Sequence, residues 1–172
     1  MNELNRKDAK NGKKKGKKMS QEPWMGRAAG AVGKGLVAGF AATLAITASQ
    51  MIEMQLTGRK PSSEPADAAA KVLDIKPNSE VAKERFSQMV HFGYGTAWGA
   101  ALGLLYAFGI KGKPATATHY AAITGASLTM PAALKVSPPA SEWTQQQIVI
   151  NLFHHLVYAV TATLIYESLD RE

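Results

Sequence analysis

Charged residues divide this chain into stretches of very different character. Four runs carry no Asp, Glu, Lys or Arg: Gly35–Ile52, Phe86–Ile110, Pro114–Leu134 and Trp143–Tyr166, of 18, 25, 21 and 24 residues. About 20 predominantly apolar residues let a helix cross a hydrocarbon layer of roughly 30 Å. A buried helix of a soluble bundle would still show a charged outer face repeating about every 3.6 residues, and none of the four runs has one. The pattern predicts an all-α integral membrane bundle of four transmembrane helices, with spans at about 33–52, 86–110, 114–134 and 143–166. The third run is the weakest. Its many Ala, Thr and Gly residues suit a helix packed against other helices rather than facing lipid.

The segments between the runs carry helix signals of their own. Ser62-Ser63-Glu64-Pro65 reads as a cap residue with Pro inside the first turn, so Ala66 to Leu73 is expected to form a short helix within the external loop 53–85. Pro77-Asn78-Ser79-Glu80 starts another, and nothing after it breaks the pattern before the second run. One continuous helix from about Ser79 to Ile110 is therefore expected, protruding beyond the bilayer. Trp143 and Tyr166 bracket the fourth run, as aromatic residues do at membrane interfaces.

Charge changes the picture at the N-terminus. The net charge of +7 resembles a nucleic-acid signal until it is mapped. Residues 1–34 hold ten of the twenty Lys and Arg but only three acids, Glu3, Asp8 and Glu22, which leaves ten charges of each sign in the other 138 residues. The basic character belongs to a tail. Residues 1–28 have almost nothing apolar to bury and are expected to be a disordered cytoplasmic segment, with residues 29–172 forming the membrane domain. The lysines suit anionic lipid headgroups. Nucleic acid is not the expected partner, since no aromatic residue is interleaved with the lysines before Trp24.

The short Lys111-Gly-Lys113 link is also basic, whereas the first loop balances six Lys and Arg with six acids. Both basic segments fall on one side if the N-terminus is cytoplasmic, and four spans then return the C-terminus to the same side. A cleavable signal peptide is the competing reading of the first run, with small residues from Ala45 to Ala48 near a cleavage point. More than thirty residues ahead of that run is too long for a usual secretory signal.

Small residues are spaced for close packing. Gly35 and Gly39 form one GxxxG pair, and Gly95, Gly99 and Gly103 form two in succession. Such spacing lets helix backbones approach in lipid. Packing of the first helix on the second within one chain is the default, with homo-oligomerisation through the same face as the alternative.

Candidate chemistry lies in the polar residues inside the runs: His91, His119, Asn151, His154, His155 and Tyr158, besides Ser49 and Gln50. Ionisable groups at membrane depth usually face a protein interior. Asn151, His154, His155 and Tyr158 fall at steps of three, four and seven, on one side of a helix. A neutral imidazole bonded across the bundle is the plain reading, and a proton-responsive group, suited by the near-neutral pKa of His, is the functional one. Haem ligation stays open, with His119 and His155 expected at similar depth. The acidic ligands that usually accompany His in metal sites are absent from the runs, so no metal or cofactor is expected. There is no cysteine, hence no disulfide, zinc–thiolate site or thiol nucleophile. No catalytic constellation is visible either: no G-x-S-x-G, no H-E-x-x-H, no paired carboxylates.

Several short blocks together resemble a known family. They are Leu56-Thr-Gly-Arg-Lys-Pro61, His91-Phe-Gly-Tyr-Gly-Thr-Ala-Trp-Gly99, the pair Pro138-Pro139 with Trp143, and Phe153-His-His-Leu-Val-Tyr158. In these the chain, from about Gly35 to Leu169, is similar to small, largely uncharacterised bacterial inner-membrane proteins of the YagU type. The resemblance implies an inner-membrane location and a link to acid tolerance, and it assigns no site residues. The expected function is that of a non-enzymatic membrane component tied to envelope or acid-stress physiology. A small transporter or channel and a haem-binding electron carrier are the alternatives.

Overall fold

The structure is a computed structural model and describes residues 24–171. Among them are five α-helices: α1 (Trp24–Thr57), α2 (Glu64–Leu73), α3 (Glu80–Ala107), α4 (Gly112–Ala133) and α5 (Gln145–Asp170), with a 3-10 turn at Ala140–Glu142 before the last. The all-α expectation holds across the described residues. α1 starts at Trp24, so residues 24–28, expected in the disordered tail, form the beginning of a helix instead. The rest of that tail lies outside the described residues.

Helix starts follow local chemistry. Ser79 caps α3 by accepting a hydrogen bond from the Ala82 amide at 3.2 Å. α5 opens on a full capping box: Thr144 Oγ1 accepts from the Gln147 amide, and Gln147 Oε1 accepts from the Thr144 amide at 2.8 Å. Two orphan donors of the first turn are thereby satisfied. α2 begins where the Ser-Ser-Glu-Pro signal places it, with Pro65 in its first turn, although the Ser63 side chain makes no cap bond. The link from α3 to α4 turns within a few residues because Gly109 and Gly112 take φ of 86° and 61°, values open to glycine at no steric cost.

α1 and α3 meet along the glycine rows. A Cβ added at Gly39 would stand 2.7 Å from the Gly99 Cα and 2.8 Å from the Thr96 carbonyl oxygen, and one at Gly99 would stand 2.6 Å from the Gly39 Cα. Gly35 faces the Gly99 carbonyl, Gly103 faces that of Ala31, and Gly95 lies under the Thr43 side chain. All but the Gly95 contact are backbone to backbone, and a side chain at those glycines would wedge the helices apart. α5 packs on the other side of α1, and α4 leans on α5. The core they enclose is built of small and aromatic residues, among them Ala38, Ala42, Leu102, Ala159, Ala162, Tyr158 and Tyr166.

Large apolar side chains point outward as well. Leu36, Val37, Phe40 and Leu44 of α1 and Val149, Phe153, Val160 and Leu164 of α5 are exposed. Among the described residues, α1 and α5 are the two helices long and apolar enough to cross a membrane. At about 1.5 Å per residue, the 34 residues of α1 extend roughly 50 Å. α3 and α4 match their expected positions but are less apolar: α3 opens on Glu80, Lys83, Glu84 and Arg85, and α4 is rich in Ala and Thr.

A paired substitution tests the seam. Gly99→Leu should lower the melting midpoint in detergent by the equivalent of about 3 kcal/mol or abolish folding. Gly93→Ala, where an added Cβ meets nothing within 4 Å, should be neutral or stabilising by up to about 1 kcal/mol. Equal behaviour of the two variants would contradict the close approach of α1 and α3.

Candidate functional site

The four long helices do not pack evenly along their length. Toward the end where α1 finishes and α5 begins they part around a cavity of about 810 Å³, which α2 and the α4–α5 connection help to enclose. Its wall contains His91, Asn151, His154, His155 and Tyr158, five of the six polar residues singled out from the sequence. The sixth, His119, is buried outside the lining, against Trp98 and Tyr158. Glycine packing and polar chemistry are therefore adjacent: Gly95 belongs to the α1–α3 seam and lines the cavity too.

The helical order of α5 explains the placement of its two adjacent histidines, whose side chains are turned about 100° apart. His155 bonds back to its own helix, with Nδ1 2.8 Å from the Asn151 carbonyl oxygen. His154 reaches across to α1, where Nδ1 lies 2.7 Å from Ser49 Oγ. Asn151 Oδ1 accepts from Ser127 of α4 at 3.0 Å, and the Tyr158 hydroxyl donates to the Gly95 carbonyl of α3. One face of α5 thus reaches all three of its long neighbours.

These partners fix the ring tautomers. A carbonyl oxygen only accepts, so the neutral His155 carries its hydrogen on Nδ1, and the neutral His119, whose Nε2 is 3.0 Å from the Trp98 carbonyl oxygen, carries it on Nε2. Thr47 donates its hydroxyl hydrogen to the Thr43 carbonyl, so His91 Nε2, 2.9 Å from Thr47 Oγ1, must donate as well. The remaining nitrogens, Nδ1 of His91, Nε2 of His155 and Nδ1 of His119, are bare acceptors. None has a hydrogen-bond partner among the described residues, and His119 Nδ1 is fully buried as well.

Glu53 closes the wall behind His154. Its carboxylate is held by the Arg59 guanidinium, Nη2 to Oε2 at 2.6 Å and Nε to Oε2 at 3.0 Å, and by the Thr57 hydroxyl at 2.8 Å. The hydrogen bonds from Arg59 outweigh the opposing effect of burial and hold the Glu53 carboxyl down at about 2, against a usual 4.5. His154 is only 3% exposed, and its Nε2 stands 3.7 Å from Glu53 Oε2, within ion-pair reach but beyond a hydrogen bond. Glu53 also faces an open groove between the end of α1 and the start of α5, lined by Gln145, Gln146 and Val149. Glu53 thus faces the groove and lies against His154 of the cavity wall.

Glu53 and Arg59 were not among the residues singled out from the sequence, because both fall in what reads as a loop. The available signal is the four-residue step from Ser49 to Glu53, which puts both on one face of an α1 that runs on to Thr57. The pairing of His119 with His155 as haem ligands finds no common space: His155 lines the cavity, while His119 is tied to Trp98 outside it. Among the described residues no group of three or more His, Asp or Glu side chains is arranged to hold a metal ion. Comparison of the chain with family models, with curated proteins and with solved structures finds no match.

Glu53 titrates lower in the folded protein than in the unfolded chain. Its pairing therefore contributes stability that is complete above about pH 4.5 and fades as the pH falls toward 2. Glu53→Gln should lower the melting midpoint near neutrality, by the equivalent of roughly 1 kcal/mol for a partly exposed pair. The loss relative to the parent protein should shrink on acidification below about pH 4.5. Melting curves across that range check it, and a pH-independent difference between the two proteins would contradict the assignment.

Proposed function

We propose that this chain is a four-span protein of the bacterial inner membrane with both termini in the cytoplasm. It acts without catalysing a reaction, as a proton-responsive component in envelope or acid-stress physiology. The single observation that carries the proton response is the position of His154, a buried ring between the Ser49 hydroxyl and the Glu53–Arg59 pair. In the neutral ring Ser49 donates to Nδ1 and the Nε2 hydrogen points toward Glu53. A second proton reverses the Ser49 bond and places a positive ring opposite a carboxylate that stays ionised down to about pH 2. Glu53 is then shared by two cations, Arg59 and His154, and its hold on the loop that carries Arg59 is redistributed. A protonated His154 thus changes its partners while Glu53 stays ionised, which is the division of labour that a proton sensor requires.

Supporting the membrane reading are the outward apolar side chains of α1 and α5 and the charge-free stretches of α3 and α4. The seam of glycines is the kind of contact that holds helices together in lipid. In this arrangement the cavity opens toward the outer face, and the ten basic residues before Gly35 lie inside, beside anionic lipid headgroups. The resemblance to YagU-type proteins supports the same location and the link to acid. A small transporter or channel is the second reading, favoured by the size of the cavity, which lies within the roughly 300–1,000 Å³ of small-molecule sites. Cysteines placed at Ser127, Asn151 and His155 would react with a membrane-impermeant thiol reagent from both sides in a transporter and from one side in a sensor.

Two outcomes are expected. A tag at either terminus should survive external protease in intact spheroplasts, and digestion at one end alone would mean an odd number of spans. Cells carrying His154→Phe should lose acid survival relative to the parent while their growth at neutral pH is unchanged. Equal survival would remove the proton-responsive role.

A further inference from the structure

His91 and His155 line one cavity, and each ring keeps one nitrogen without a partner among the described residues, an acceptor because the other nitrogen is committed as a donor, to Thr47 and to the Asn151 carbonyl. A space that presents two unpaired acceptors calls for an occupant that brings donors. The rest of the wall narrows the chemistry. Tyr94, Trp98 and Trp143 supply aromatic surface, to which a cation is drawn by the ring quadrupole. At the rim stand two carboxylates, Glu64 and Glu142, and two cations, Arg59 and Lys60. The Arg59 charge is already matched by Glu53, which leaves the rim with an excess of negative charge. The other titratable groups facing the space are His154, engaged with Ser49, and Tyr158, whose hydroxyl donates to Gly95.

We infer that this cavity binds a small organic ammonium ion, its N–H groups donating to His91 and His155 and its apolar portion lying against Trp98 and Tyr94. A carboxylate would meet two lone pairs and two rim acids, and a purely apolar molecule would leave both nitrogens unpaired. The site is independent of the proton-responsive reading, which concerns His154.

Tryptophan fluorescence of the full-length protein in detergent reads occupancy, because Trp98 and Trp143 line the cavity. At about pH 7.5, phenethylamine should give a saturable change, whereas phenethyl alcohol and hydrocinnamate, of similar shape but neutral and anionic, should bind at least about tenfold more weakly. His91→Phe and His155→Phe should each weaken the amine by about tenfold or more, with their folding checked by melting profile. Should either variant fail to fold, the comparison of the three ligands on the parent protein still decides. Equal affinity for amine and alcohol, or for amine and carboxylate, overturns the site, as does undiminished amine binding by both folded variants.

Discussion

Contact between the α1 and α3 backbones at Gly35, Gly39 and Gly99 governs the remainder of the bundle. With no side chain between them, the two helices come close enough for Thr43 to rest on Gly95 and for Thr47 to reach His91. That approach also turns the opposite side of α1 toward α5, where Ser49 and Glu53 meet His154. The polar chemistry at the cavity thus depends on the absence of side chains one or two turns away. Dispersion and close backbone approach, rather than expulsion of water, supply the attraction in such a seam when it lies in lipid.

The polar groups are arranged so that nearly every one has a defined partner. Asn151, Ser127, Tyr158, Ser49 and Thr47 each hold a neighbour on another element or are held by one. A network of this kind is rigid where it is satisfied, and the few unsatisfied atoms stand out against it. Besides the Thr124 hydroxyl, those atoms are imidazole nitrogens of His91, His119, His154 and His155, three of the four rings being on the cavity wall. Unspent hydrogen-bonding capacity and titratable capacity therefore coincide on the same rings.

Much of this bundle can be read from residue order, and the divide between what can and cannot is physical. Charge-free runs and cap residues report on one helix at a time, so α3 from about Ser79, the short α2 after Ser63 and the polar face of α5 are all visible in the chain. The four-residue glycine rows mark where close approach is allowed. Tail and first helix divide differently than composition suggests, since α1 starts at Trp24, whose ring lies 6.1 Å from that of Phe108. Partnerships between distant residues leave no such mark. Nothing in Phe153-His-His-Leu says that one ring turns back onto its own helix and the other crosses to Ser49, because that choice is made by neighbours on α1. Likewise Glu53 and Arg59 look like ordinary loop charges until α1 is seen to continue past the apolar run and bring a carboxylate up against a buried ring.

At the far end from the cavity, the same helices are fastened by longer side chains. Tyr106 of α3 donates to Glu167 of α5 at 2.9 Å and stacks on Tyr166 with ring centres 4.1 Å apart, while Lys34 of α1 bonds Asp170 of α5 at 2.9 Å. Gly103 keeps α3 against α1 at that end as well. The bundle is consequently pinned at its base and parted at its mouth, like a pair of tongs. Any change in the spacing of the helices would therefore be smallest at the Tyr106–Tyr166 contact and largest where His154, Glu53 and the rim of the cavity lie.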